Sequence, residues 1–188
     1  MADIINWDNK FGVIEGGKKV VDGVGKEAEI VTNQFGGKQS KSPMAMNLID
    51  PTFLNSWFNS SNNINDRIIW GITDFMKNGD KSVLLDTVYE IQCLISGNNT
   101  NGCEALVNIA KVLQYGAEKY RPNNWRLIPQ EDHINHALIH YIAYLLGDTQ
   151  DEHLQHAMCR LMMAYSMPKS SDFKYDKYVP TKMELVQN

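Results

Sequence analysis

The stretch EDHINHALIHYIAYLL (residues 131–146), followed by GDTQ (147–150) and DEHLQHAMCRLMMAYSMP (151–168), decides the fold class. In the first run Ile134, Leu138, Tyr141, Ile142 and Leu145 recur every three or four residues, the spacing that gathers side chains on one face of a helix. In the second run Leu154, Met158, Leu161 and Tyr165 repeat that spacing, and Pro168, which lacks an N–H to continue the ladder, ends it. A connection as short as residues 147–150 predicts that the two helices pack side by side as an antiparallel pair.

Working outward, residues 63–77 carry Ile64, Ile68, Ile72, Phe75 and Met76 at helical spacing, with Asn78 and Gly79 as the stop. Residues 81–95 carry Leu84, Val88, Ile91 and Ile95, and residues 104–119 carry Leu106, Ile109, Val112 and Leu113. The sequence therefore predicts an all-α helical bundle of about five helices. The first 42 residues differ: they are rich in Gly and Lys, with β-leaning pieces at 19–21 and 28–32 around Asp22, Gly23, Val24 and Gly25. An irregular, β-containing N-terminal arm (1–42), a helical domain (43–168) and a polar C-terminal tail (169–188) are expected.

The chain has 188 residues, 43% hydrophobic, with a net charge of −4. That is enough apolar material for one buried core, and it lacks the basic excess that grips duplex nucleic acid. No apolar run is long enough to span a bilayer, and residues 1–11 lack the apolar core of a signal peptide, so a soluble, cytoplasmic protein is expected. Cys93, Cys103 and Cys159 are odd in number with no paired spacing, which suits reduced thiols.

All five histidines lie on the last two predicted helices. His133, His136 and His140 fall within about 60° of one another, as do His153, His156 and Arg160, each stripe turned away from its helix's apolar face. Such stripes suit a solvated or hydrogen-bonded polar face, a metal site, or donors around a phosphate. Arg160 weighs against a cation and for phosphate, so no metal ligand is assigned.

A second cluster, GAEKYRPNNWR (residues 116–126), puts aromatics, amides and cations in one loop. Tyr120 and Trp125 suit stacking on a base, Asn124 suits reading its edge, and Lys119 and Arg126 suit phosphates. The same residues also suit a helix end with Trp125 plugging the bundle. A third, GGKQSK (residues 36–41), offers glycines and the cations Lys38 and Lys41 to an anion, without the spacing of a phosphate-binding loop; a solvated linker is the other reading.

Taken in order, several segments resemble the phage and bacterial dATP/dGTP diphosphohydrolase N-terminal-like family. They are residues 36–41, Leu48-Ile-Asp-Pro51, Tyr115-Gly-Ala-Glu-Lys-Tyr120, Asn124-Trp-Arg126, Ala137-Leu-Ile-His140, Leu146-Gly-Asp148 and His153-Leu-Gln-His-Ala157. The chain departs from that pattern in having Ile139 before the helix His, Arg160 where an Asn is common, and an apparent insertion of two helices between Asn55 and Gly102. The resemblance implies binding of a nucleotide and hydrolysis of a purine nucleoside triphosphate to monophosphate and pyrophosphate, with Mg²⁺ or Mn²⁺ if catalytic. The alternative is a non-catalytic sponge that sequesters a nucleotide or nucleotide-derived signal. The expected ligand-binding residues are Lys38, Lys41, Lys119, Tyr120, Asn124, Trp125, Arg126, His140, His153, His156 and Arg160, in a protein expected to form a homo-oligomer.

Overall fold

The computed structural model describes residues 28–58, 63–97 and 102–168. Among these, a two-stranded antiparallel sheet, β1 (Ile30–Thr32) and β2 (Lys38–Ser40), precedes six helices: α1 (Pro51–Phe58), α2 (Ile64–Asn78), α3 (Ser82–Ser96), α4 (Gly102–Lys119), α5 (Gln130–Leu145) and α6 (His153–Ser166). The helical bundle and its β-containing arm match the sequence expectation, with α1 as an additional helix. Its signal was present in Asp50-Pro51: the Asp50 carboxylate accepts the Thr52 and Phe53 N–H groups at 2.8 and 3.0 Å, and Pro51 opens the first turn where its missing N–H costs nothing.

The hairpin differs from the sequence reading in its partner strand. Residues 28–32 contain β1, but the strand it pairs with is Lys38–Ser40, in the register Ile30↔Ser40, Val31↔Gln39 and Thr32↔Lys38. The expected piece at 19–21, like the tail beyond 168, lies outside the described residues. Gly36, at φ +78°, forms the turn that the strands need. Asn33 fixes it by accepting the Phe35 and Gly37 N–H groups at 2.9 Å while donating to the Leu127 carbonyl at 2.7 Å. Residues 36–41 are thus a turn and a strand rather than a solvated linker.

Helices α5 and α6 form the expected antiparallel pair. Their contacts run in opposite senses: His140 meets His153 at one end and His133 meets Arg160 further along. At the far end Gln130 donates to the Ala164 and Met167 carbonyls at 2.7 and 2.9 Å, tying the start of α5 to the end of α6. Lys81 adds its ammonium to the Tyr165 and Met167 carbonyls, at the negative end of the α6 dipole. Below this pair lie α2, α3 and α4, burying Ile68, Ile72, Leu84, Ile91, Leu138, Tyr141, Met158 and Leu161 completely or nearly so. The α2–α3 approach is close enough that a methyl on Gly71 would overlap the Thr87 hydroxyl.

Helix α5 carries the main surprise. Every residue from His133 to His140 is buried, so its polar stripe is not a solvated face. The hairpin, the 3-10 turn at Met46–Leu48 and α6 cover it. Among the described residues the three cysteines are free, and no helix is long and apolar enough to cross a membrane.

Candidate functional site

The loop after α4 is held down by its own sequence. Asn123 takes the left-handed conformation (φ 58°), which Asn tolerates better than most residues, and a 3-10 turn follows at Asn124–Leu127. Asn124 is buried, with its carbonyl oxygen accepting the Lys38 N–H at 2.9 Å and its amide donating to the Lys38 carbonyl at 2.6 Å. These two bonds join the loop to β2 and position Lys38, leaving one N–H and one lone pair of the amide at the cavity wall. Arg126 stacks on the Trp125 ring, 4.3 Å from its centroid.

Between this loop, β2 and the α5–α6 pair lies a cavity of about 780 Å³, within the range of small-molecule sites. Of the residues expected from sequence, Lys38, Lys119, Tyr120, Asn124, Trp125, His140, His156 and Arg160 line it. Lys41, Arg126 and His153 do not: Lys41 pairs with Glu29 at 2.9 Å on the surface, and His153 sits behind His140. The wall also includes Lys111 and Thr149, together with Arg121, Asp151 and His136, none of them among the expected ligand-binding residues. Lys119 lies over both the Tyr115 and Tyr120 rings, 5.7 and 5.4 Å from their centroids.

Arg160 reaches the cavity from α6. Its guanidinium donates to Nδ1 of His133 at 3.1 Å, and His133 Nε2 lies 3.0 Å from the Trp125 carbonyl. This arrangement fixes His133 as the neutral tautomer with its proton on Nε2, because Nδ1 must offer a lone pair to the guanidinium. Burial first, and the Arg160 charge second, hold the His133 pKa well below the ordinary imidazole value. Burial and Arg160 likewise bring His136 down to about 4, against the opposing pull of the Asp132 and Ser40 carbonyls. Burial and then the neighbouring His156 and His153 lower His140; burial also lowers His156, opposed by the Asp151 carboxylate. Among the groups that the two stripes offer a phosphate, these four rings are favoured as neutral imidazoles, and the fixed positive charge of the α6 stripe is Arg160.

At the other end of the cavity His140 Nδ1 lies 3.1 Å from His153 Nδ1, and the His140 and His156 rings stack at 4.9 Å. His153 Nε2 is 3.1 Å from Asp148 Oδ1, with both side chains almost fully enclosed. That contact is off the line of a good hydrogen bond, leaving Nε2 without a full partner. His156 Nε2 lies 3.4 Å from Asp151 Oδ1. The loop between α5 and α6 thus brings Asp148 and Asp151 under the histidines. The run Asp148-x-x-Asp151-x-His153-x-x-His156 was the sequence signal for this, although the histidines were read as two separate stripes.

Residues 94–177 match the model of the family described as dATP/dGTP diphosphohydrolase, N-terminal. This bears out the resemblance for the segments from Tyr115 onward, while residues 36–41 and 48–51 lie outside the match. The diphosphohydrolase match takes in α4, the 3-10 turn at Asn124–Leu127, α5 and α6, and so most of the cavity wall. It starts in the last turn of α3 and leaves α1, α2 and the hairpin outside. No curated protein and no solved structure matches the chain.

Proposed function

We propose that this cavity binds a purine nucleoside triphosphate and that the chain hydrolyses it to monophosphate and pyrophosphate. The observation that carries the binding is Arg160: a guanidinium at the cavity wall whose hydrogen-bond partner is a neutral imidazole, with no carboxylate in ion-pair contact among the described residues. A partly buried cation with no carboxylate in direct contact is costly, and an anionic ligand supplies the missing partner. Lys119, Lys38 and Arg121 add charge along the same wall, while Tyr120 and Trp125 give aromatic surface for a base. The family match supports the hydrolytic part of this reading, in which Arg160 and Lys119 would stabilise charge developing on phosphoryl oxygens.

The Mg²⁺ that such hydrolysis commonly uses takes oxygen ligands in an octahedral shell. The carboxylates on the cavity wall are Asp151 and Glu152, and the donors beside them are imidazoles, so this donor set does not fit Mg²⁺. The same feature favours a second reading, a phage-type sponge that holds a nucleotide or nucleotide-derived signal intact. On either reading the protein works in the cytoplasm as a homo-oligomer, without duplex nucleic acid or membrane.

A thermal-shift screen of nucleotides, with product analysis of each hit by chromatography, tests both. Purine triphosphates should raise Tm, and Arg160→Ala should weaken their binding by about 1.5–3 kcal/mol, the scale of a charge-assisted hydrogen bond. Release of monophosphate and pyrophosphate supports the enzyme, and recovery of intact ligand the sponge. No shift with any nucleotide would overturn both.

A further inference from the structure

We propose that His140, His153 and Asp151 bind one divalent transition-metal ion at the floor of the cavity. One donor atom from each of these three residues lies within 4.8 Å of the other two. An ion with bonds of about 2.1 Å holds its ligands roughly 3.4 Å apart in a tetrahedron, so small side-chain rotations complete the set. The two imidazole nitrogens are already at 3.1 Å. Two ring nitrogens that close must share either one proton or one cation.

Asp148 favours the cation. Histidine ligands commonly donate their second ring N–H to a carboxylate, which fixes the tautomer and raises the basicity of the ligating nitrogen. Asp148 Oδ1 stands 3.1 Å from His153 Nε2, both side chains almost fully enclosed, and a small rotation of the ring toward the ion would bring this off-line contact into hydrogen-bond alignment. His153 Nδ1 then faces the ion. His140 and Asp151 line the cavity while His153 lies behind them, which places the remaining coordination position toward a ligand in the cavity. Two nitrogens and one carboxylate oxygen suit Zn²⁺ or Co²⁺ better than an ion that demands oxygen.

Arg160 weighs against a cation, but its guanidinium is directed to His133, which lies seven residues and so about 10 Å of helix rise from His140 along α5. Its charge still reaches His140 and His156. For the role of the ion, the inference rests on the nucleotide reading of the cavity; uptake itself does not, and each can fail alone.

The test uses the full chain without an affinity tag, stripped with chelator and titrated with Co²⁺ in the absence of nucleotide. Visible d–d absorption should saturate at one ion per chain without a thiolate charge-transfer band, and Zn²⁺ should displace the Co²⁺. Asp151→Asn and His153→Gln should abolish saturable uptake. Asp148→Asn should weaken it roughly 10–100-fold, as for other carboxylates behind a ligating imidazole. Lys119→Ala should leave it unchanged while weakening nucleotide binding. Circular dichroism checks each variant, and Asp151→Asn, at a partly exposed position, decides the matter if His153→Gln does not fold. A wild-type chain that takes up no Co²⁺ in excess metal overturns the site, as does a thiolate band or wild-type uptake by Asp151→Asn.

Discussion

His136 shows how burial changes the chemistry of a side chain whose identity alone suggested charge. Its Nε2 lies 2.9 Å from the Ser40 carbonyl and its Nδ1 3.0 Å from the Asp132 carbonyl, with the Ser42 hydroxyl near both. Across the helix pair it faces the charge of Arg160. Folding therefore holds a ring that titrates near 6.5 in the open chain down to about 4. Because the unfolded state binds the proton first, stability from this group is complete above pH 6.5 and is lost as pH falls toward 4. The full loss is on the order of 3 kcal/mol, and His133, shifted the same way, adds to it. Asp132, whose carboxyl burial raises, works in the opposite sense and offsets part of the loss at the acid end. Urea midpoints should fall between pH 7 and pH 5, and His136→Gln should flatten that decline. An unchanged acid limb in His136→Gln would place the pH dependence elsewhere.

Among the elements, the hairpin and the turn after α4 stand or fall together. Asn124 satisfies both backbone groups of Lys38, and Gly37 packs so closely on the turn that an added methyl would meet the Leu127 carbonyl oxygen at 2.6 Å. Asn124→Ala removes both side-chain bonds to the backbone of Lys38, a partly buried bridge at an exposed residue, at about 0.5–1.5 kcal/mol per bond. Thermal unfolding should show that loss, and nucleotide affinity should fall with it because Lys38 loses its anchor. Full retention of both would mean that the hairpin does not depend on this bridge. Nothing local in the sequence reveals this bridge, because the strand that Asn124 bonds lies 86 residues earlier.

Across the whole molecule, helices α1 to α3 form the layer on which the family-matched part rests: α2 touches α5, and α3 touches α6. Large apolar side chains remain exposed on this body, among them Phe53 and Trp57 on α1 and Leu106 and Val107 on α4, the last two at 67% and 54% exposure. Exposed apolar groups on one body are the kind of surface that a second copy covers. Light scattering at micromolar concentration should therefore give a multiple of the 21.4 kDa chain mass. A mass equal to one chain would remove the homo-oligomer from the proposal.

What the sequence determined by itself is whatever short-range physics controls. The helical repeat of Leu138, Tyr141 and Ile142, the stop at Asn78 and Gly79, and the tight return at residues 147–150 each act within a few residues, so they were legible. The histidines were legible as a cluster for the same reason. Which way their helix face turned was not, because periodicity shows that a face is polar and says nothing of what covers it. Only the packing of β2 and α6 onto α5 placed those rings out of water and left them neutral. The same packing set His140 against His153 with Asp148 behind, and sent Arg160 to His133 instead. Those partners are fixed by the antiparallel register of two helices, and register is a property of the assembled core.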